Sequence, residues 1–211
     1  MPARLRPTAP IAADAILVGD PGRALMLAQV LLEQPNMSNH ARGLWGYSGV
    51  TPDGKELTIQ STGMGGPSAS VVLTDLAELG VRRAIRIGTC TSLGDLELGA
   101  LLIVSNARTP AGGSARPDRE LTEGLGRSLP DAQSGMAVSL DTLHDPERES
   151  PTLLAEAADM QTAALLDTAA ALRIAAAAIL IVAERSDSGQ LRDEDLEETA
   201  RRVGLAAAGL L

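Results

Sequence analysis

The sequence predicts an α/β domain. Short apolar runs alternate with longer stretches of helical period, and glycine-rich turns separate the two kinds of segment. A length of 211 residues leaves room for a sizeable core in one domain spanning 1–211.

The elements follow in order. Ala15–Val18 reads as a buried strand, stopped by Gly19-Asp20-Pro21-Gly22. Pro21 suits the first turn of a helix that runs through Leu25, Leu27, Val30 and Leu31. Leu57–Gln60 is the next strand. The turn Gly63–Pro67 feeds a helix carrying Val71, Val72, Leu76 and Leu79, closed by Gly80. Ala84–Ile87 is a strand expected to end at Gly88-Thr89-Cys90-Thr91, and Leu101–Val104 is a fourth. Ala107–Asp118, rich in Gly, Pro and Ser, reads as a loop. Met136–Leu140 is a strand, Asp159–Leu172 a helix and Ala176–Val182 a buried strand. The closing helix opens on Asp193-Glu194-Asp195 and carries Arg201-Arg202 further on, as the helix dipole prefers.

Composition excludes several function classes. With 18 Lys+Arg against 27 Asp+Glu the net charge is −9, which disfavours nucleic acid as the main partner. The chain has no Phe, one Trp and one Tyr, too few aromatics for a base-stacking platform. Cys90 is the only cysteine, so neither an intrachain disulfide nor a thiolate zinc site can form. It reads as a small buried residue rather than a nucleophile. The longest apolar run, Ile174–Ala183, is too short to span a bilayer, and the first residues lack the apolar core of a signal peptide. The expectation is a cytoplasmic protein with no membrane partner. The two histidines, His40 and His144, make neither a metal set nor a nucleophile–base pair.

Three arginines stand out by position. Arg23 lies just inside a strand-to-helix turn, where free N–H groups and a positive helix end favour an anion. Arg86 sits in a hydrophobic strand, on the face that period-two alternation shares with Gly88, and needs a partner there. Arg42 lies in the polar stretch Asn39–Gly43. The residues alone leave other readings in play: a solvated helix residue, half of a buried ion pair and an exposed loop residue. The run Gly63–Gly66 lacks the full dinucleotide fingerprint, and its default meaning is a turn.

The segments ILVGDPGRA (16–24), NHARGLWGYSG (39–49), STGMGGPSAS (61–70) and GVRRAIRIGTCTSLG (80–94) resemble the nucleoside phosphorylase family that groups hexameric-type purine nucleoside phosphorylases with uridine phosphorylases. SLDTLHDPER (139–148) and ADMQTAALL (158–166) match more loosely, in family order. The resemblance implies a mixed, partly barrel-like central sheet flanked by helices. It implies reversible phosphorolysis of a nucleoside to a free base and a pentose 1-phosphate, with inorganic phosphate as co-substrate and no cofactor or metal. Gly19, Arg23, Arg86 and Thr89 fall at phosphate-binding positions. Arg42 falls where the family reaches the phosphate of a neighbouring subunit, so a homodimer or hexamer is implied. Met64, Met160 and Gln161 fall at sugar-contacting positions, and Thr91, Leu143 and Arg148 near the base pocket.

The chain departs from the family at three places. The family's Glu-Met-Glu is Asp159-Met160-Gln161 here. A neutral Gln161 implies weaker catalysis or a different sugar. The acid that protonates the departing base in purine members aligns without gaps at Glu184, and with a gap of three at Asp187. Glu184 is preferred, against the alternative of a strand-end carboxylate paired with Arg185. The family's N-terminal histidine aligns with Arg4, which would contact the sugar's 5′ side unless the segment is a loose tail. A carboxylate at 184 leans towards purines, and Arg148 matches the uridine members, so both bases stay in play. Two rival functions remain: a nucleosidase using water, and a nucleoside- or phosphate-binding protein without turnover.

Overall fold

The computed structural model describes residues 4–143, 154–185 and 189–211. In chain order the strands and helices are β1 (Asp14–Val18), α1 (Pro21–Leu31), β2 (Glu33–Asn39), β3 (Gly46–Val50) and β4 (Glu56–Ser61). Next come α2 (Gly66–Glu78), β5 (Arg83–Ser92), β6 (Leu101–Arg108), β7 (Ser114–Ala115) and α3 (Arg119–Ser128). The order closes with β8 (Gln133–Ser139), β9 (Ala157–Asp159), α4 (Thr162–Leu172), β10 (Ala175–Arg185), β11 (Gly189–Gln190) and α5 (Asp193–Leu210). A short 3-10 turn, Ala41–Gly43, joins β2 to β3.

The sheet is mixed. β1 lies between β4 and β5, parallel to both, and β3 and β2 extend the β4 side antiparallel. On the other side the ladder closes on itself. β5 pairs with β10, β10 with β6, β6 with β8, β8 with β9, and β9 returns to β5. This five-strand ring is the barrel-like part of the sheet expected from the family resemblance. Long strands make it possible, because β5 and β10 serve the open sheet with their first halves and the ring with their second.

Both faces of the central strands are covered, and the sequence shows why they read as continuous apolar runs. Ala84, Ala176, Ala178 and Leu180 face a layer with Val72, Leu73 and Leu76 of α2 and Leu165, Leu166 and Ala169 of α4. Ile85, Ile87, Ala177, Ile179 and Ile181 face Leu27 and Leu31 of α1, Leu125 of α3 and Val203 of α5. Each fully buried Leu or Ile contributes about 1.5–3 kcal/mol over its exposed state. The alanines of β10 contribute less each, and in return let helix and strand backbones approach closely.

Several expectations need correction. β5 does not stop at Gly88 but runs to Ser92, because its second half finds partners in β9 and β10. The helix read over Asp159–Leu172 starts at Thr162, since Asp159 closes β9. The loop read over Ala107–Asp118 contains the end of β6 and all of β7. β2 and β3 were not anticipated. β2 is an edge strand with Pro35 inside it and solvent on one side, so it carries no hydrophobic alternation. α3 was also missed, although Asp118 caps it by accepting from Leu121 N at 3.0 Å.

The first described residues are not a loose tail. Leu5 is buried, and Asp75 Oδ2 accepts from the backbone N–H groups of Arg4 (2.6 Å) and Leu5 (2.7 Å). Arg6 N donates to Asn39 Oδ1 and Thr8 N to Ser38 O, both at 2.8 Å. Residues 4–8 are thereby strapped across α2 and β2.

Candidate active site

A cleft of about 340 Å³ opens at the C-terminal ends of β1 and β4 and beside the middle of β5. Gly19, Asp20, Pro21, Arg23, Gly63, Met64, Gly65, Arg86, Gly88, Thr89, Leu143, Met160 and Gln161 line it. Eight of the residues implied by the resemblance therefore share one cavity: Gly19, Arg23, Met64, Arg86, Thr89, Leu143, Met160 and Gln161.

The wall on the β1 side is the start of α1. Asp20 caps this helix, accepting from Arg23 N at 2.7 Å, and Pro21 occupies the first turn. The remaining positive character of the helix end points into the cleft with the Arg23 side chain. Burial pulls the Arg23 guanidinium below its ordinary range; Asp20 opposes this, and the like charge of Arg86 adds to it. Two guanidinium groups that repel one another across a cleft form a site whose repulsion an anion relieves.

Arg86 is only 4% exposed. Its Nη2 pairs with Asp159 Oδ2 at 3.1 Å, its Nη1 donates to Gln161 Oε1 at 2.8 Å and its Nε to Thr162 Oγ1 at 3.1 Å. Each terminal nitrogen keeps one N–H for a ligand. Asp159, 1% exposed, also accepts from Thr162 N at 2.9 Å, from Thr162 Oγ1 and from Ser139 Oγ. Ser139 Oγ accepts in turn from Ala163 N at 2.9 Å. One carboxylate thus neutralises Arg86 and caps α4, so Arg86 is half of a buried ion pair and also lines the cleft. Asp159, Thr162 and Ser139 were given no role from sequence. Their signal was the need of Arg86 for a buried partner, but only the fold shows which one.

Gly88 makes the space for this arginine. A Cβ there would sit 2.7 Å from Arg86 Nη2 and 2.7 Å from Leu180 Cδ2. Gly88→Ala is expected to push the guanidinium aside and cost about 1–3 kcal/mol through overpacking. Phosphate should raise the melting temperature of the unaltered protein and fail to raise that of the variant. Equal phosphate protection of both would show that the guanidinium tolerates the methyl group.

Other sequence candidates lie elsewhere. Glu184 and Thr91 touch each other, Thr91 Oγ1 donating to Glu184 Oε2 at 3.2 Å, and Gln190 Nε2 donates to Glu184 Oε1 at 3.1 Å. A β-bulge at Ala183 shifts the register, so Val182 faces Cys90 while Glu184 faces Thr91. Neither Thr91 nor Glu184 lines the cleft. Glu184 does not pair with Arg185, which bridges Glu97 at 3.3 Å and donates to Leu96 O at 2.9 Å. Arg4 and Arg42 share a second cleft of about 370 Å³ with Arg6, Thr8, His40 and Ala41, a lining with no carboxylate. Arg42 takes a left-handed backbone, φ 61°, at the 3-10 turn. Arg148, His144 and Asp187 lie outside the described residues. Burial pushes the Cys90 thiol far above its ordinary value, which keeps it protonated and unreactive. Among the described residues, no three His, Cys, Asp or Glu side chains gather to hold a metal, and no helix is long and apolar enough to cross a membrane.

The chain thus folds as an α/β sheet that closes into a ring beside a cleft lined by Arg23 and Arg86. The chain belongs to the Phosphorylase superfamily, whose profile matches residues 14–211. It is 32% identical over 205 residues to the DeoD-type purine nucleoside phosphorylase of Caldanaerobacter subterraneus subsp. tengcongensis, covering 85% of this chain and 86% of the relative. The DeoD-type purine nucleoside phosphorylase of Alkaliphilus metalliredigens is 30% identical over 210 residues, 90% of each chain. The crystal structure of purine nucleoside phosphorylase from Toxoplasma gondii in complex with immucillin-H superposes with a TM-score of 0.84. That alignment covers 94% of this chain and 90% of the other at 22% identity, a likeness of fold.

Proposed function

We propose that this chain is a nucleoside phosphorylase, a pentosyltransferase that converts a nucleoside and inorganic phosphate into a free base and a pentose 1-phosphate. The observation that carries the reading is the convergence of Arg23, Arg86 and the α1 N-terminus on one cleft that also holds Gln161, Met160 and Met64. Phosphate bound by forked, charge-assisted hydrogen bonds is positioned below the sugar ring. Its oxygen forms a bond to C1′ as the bond from C1′ to the base nitrogen breaks. The electron pair leaves on the base, which takes up a proton. The positive charge that develops on the sugar is stabilised by the phosphate itself.

Thr89 adds a phosphate donor, Leu143 with Thr91 and Arg148 the base side, and Glu184 the proton. In this reading Arg42 and Arg4 serve the site of a second copy in a dimer or larger assembly. Their shared basic cleft, in a chain of net charge −9, supports that assignment. Purine nucleosides come first among substrates, since the relatives of at least 30% identity carry that name. One observation favours a second reading: Glu184 sits outside the cleft lining, which would suit a protein that binds nucleoside and phosphate without turnover.

The test is release of free base from a panel of purine and pyrimidine nucleosides, with and without phosphate. Phosphate-dependent release of a purine base is the expected result. Release without phosphate would make the protein a nucleosidase. No release, with phosphate still raising the melting temperature, would establish the binding reading.

A further inference from the structure

Met64 stands apart from the other described methionines. It is 81% exposed, yet it lines the cleft that holds Arg23 and Arg86. Met37, on the edge strand β2, is 42% exposed, and Met26 of α1 only 9%. Met136 and Met160 are half-buried.

The backbone holds Met64 outward. Gly63 and Gly65 flank it with φ of 71° and 80°, the left-handed region that residues with a Cβ rarely enter. Both sides of this turn are pinned. Gln161 Nε2 donates to Gly63 O, and Ser68 Oγ to Thr62 O, each at 2.6 Å. Ala69 N donates to Gly65 O at 3.2 Å as α2 begins. Gly66 is seated so close to α4 that a Cβ there would lie 2.9 Å from Ala164 Cβ. Met64 therefore sits at the tip of a fixed turn, where its sulfur meets both solvent and whatever enters the cleft.

A thioether open to water is the group that hydrogen peroxide attacks. A sulfur lone pair takes one peroxide oxygen as the O–O bond breaks. The hydroxide that leaves takes up the remaining peroxide proton and becomes water. The sulfur is oxidised by two electrons and the peroxide is reduced. The apolar, flexible side chain becomes a polar one whose new oxygen accepts hydrogen bonds. The donors this cleft offers are the guanidinium N–H groups of Arg23 and Arg86, the ones an anion would use.

We propose that Met64 is an oxidation switch on this cleft. Hydrogen peroxide converts it to the sulfoxide ahead of the other described methionines, and the sulfoxide oxygen then takes guanidinium donors that phosphate needs. The inference rests on the anion site of the phosphorylase reading, not on turnover. Reduction reopens the cleft, with one class of methionine sulfoxide reductase for each sulfoxide epimer.

The experiment treats the native protein with hydrogen peroxide and follows peptide masses, phosphate affinity and base release together. Phosphate affinity is read from the rise in melting temperature with phosphate concentration. The peptide carrying Met64 should gain one oxygen first. Phosphate affinity should then fall at least about tenfold, as for the loss of one charge-assisted hydrogen bond. Both reductases together should restore it. Met37→Leu should lose affinity on treatment as the native protein does, whereas Met64→Leu should keep its own untreated affinity. Four results overturn the proposal: oxidation of Met64 later than Met37, unchanged affinity once Met64 carries its oxygen, equal loss in Met64→Leu, or no phosphate binding before treatment. Absence of phosphate-dependent base release, with phosphate affinity still falling on oxidation of Met64, would defeat the phosphorylase reading alone.

Discussion

Asp159→Ala is expected to destabilise the protein by about 3–5 kcal/mol, because it strands the Arg86 charge in a buried site. The loss is larger than that of the ion pair alone. Asp159 also caps α4 through Thr162 N and holds Ser139 Oγ, whose other bond goes to Ala163 N. Asp159→Asn keeps an oxygen for the cap and removes only the charge, so it should fall between the native chain and the alanine variant. Urea denaturation with an unchanged m-value measures both. A loss below about 1 kcal/mol for Asp159→Ala would mean that the Arg86 charge reaches water or another partner, contrary to the buried geometry.

Arg86→Lys should cost about 100-fold in kcat/KM for phosphate while sparing most of the stability lost in Asp159→Ala. An ammonium can still neutralise Asp159. It cannot reach Asp159, Gln161 and Thr162 together and also present two N–H groups to the cleft, as the planar fork does. Steady-state kinetics with phosphate as the varied substrate, read beside the urea midpoint, separates the two effects. A variant with native phosphate kinetics would remove Arg86 from the anion site and leave it a structural ion-pair residue.

The parts of the fold legible from sequence are those where local pattern and tertiary demand agree. β1, with two buried faces, reads as an unbroken apolar run, and α1 shows its Asp20 cap and Pro21 in adjacent letters. β2 escaped because an edge strand needs no apolar face, and β9 because three residues carry no period at all. The end of β5 was misjudged at Gly88. Glycine usually marks a stop, but here it clears space for a side chain on its own strand. In the site, the family blocks placed eight residues in one cleft. They could not show that Gln161 is bonded on both ends, since its partners Thr62, Gly63 and Arg86 lie far away in the chain. Glu184 shows the opposite limit: an ungapped alignment cannot register a bulge, and the bulge at Ala183 decides where the carboxylate points.

The strap of residues 4–8 has a consequence for solubility. β2 ends the sheet, and a bare edge strand is a template on which further chains can add without limit. Thr8 N takes the Ser38 carbonyl and Thr8 Oγ1 the Met37 carbonyl, while Pro35 removes an N–H from the same strand. The Met37–Ser38 end of the edge is thereby taken up within the molecule. Addition of a further strand at this end of β2 is impeded by residues 4–8 of the same chain.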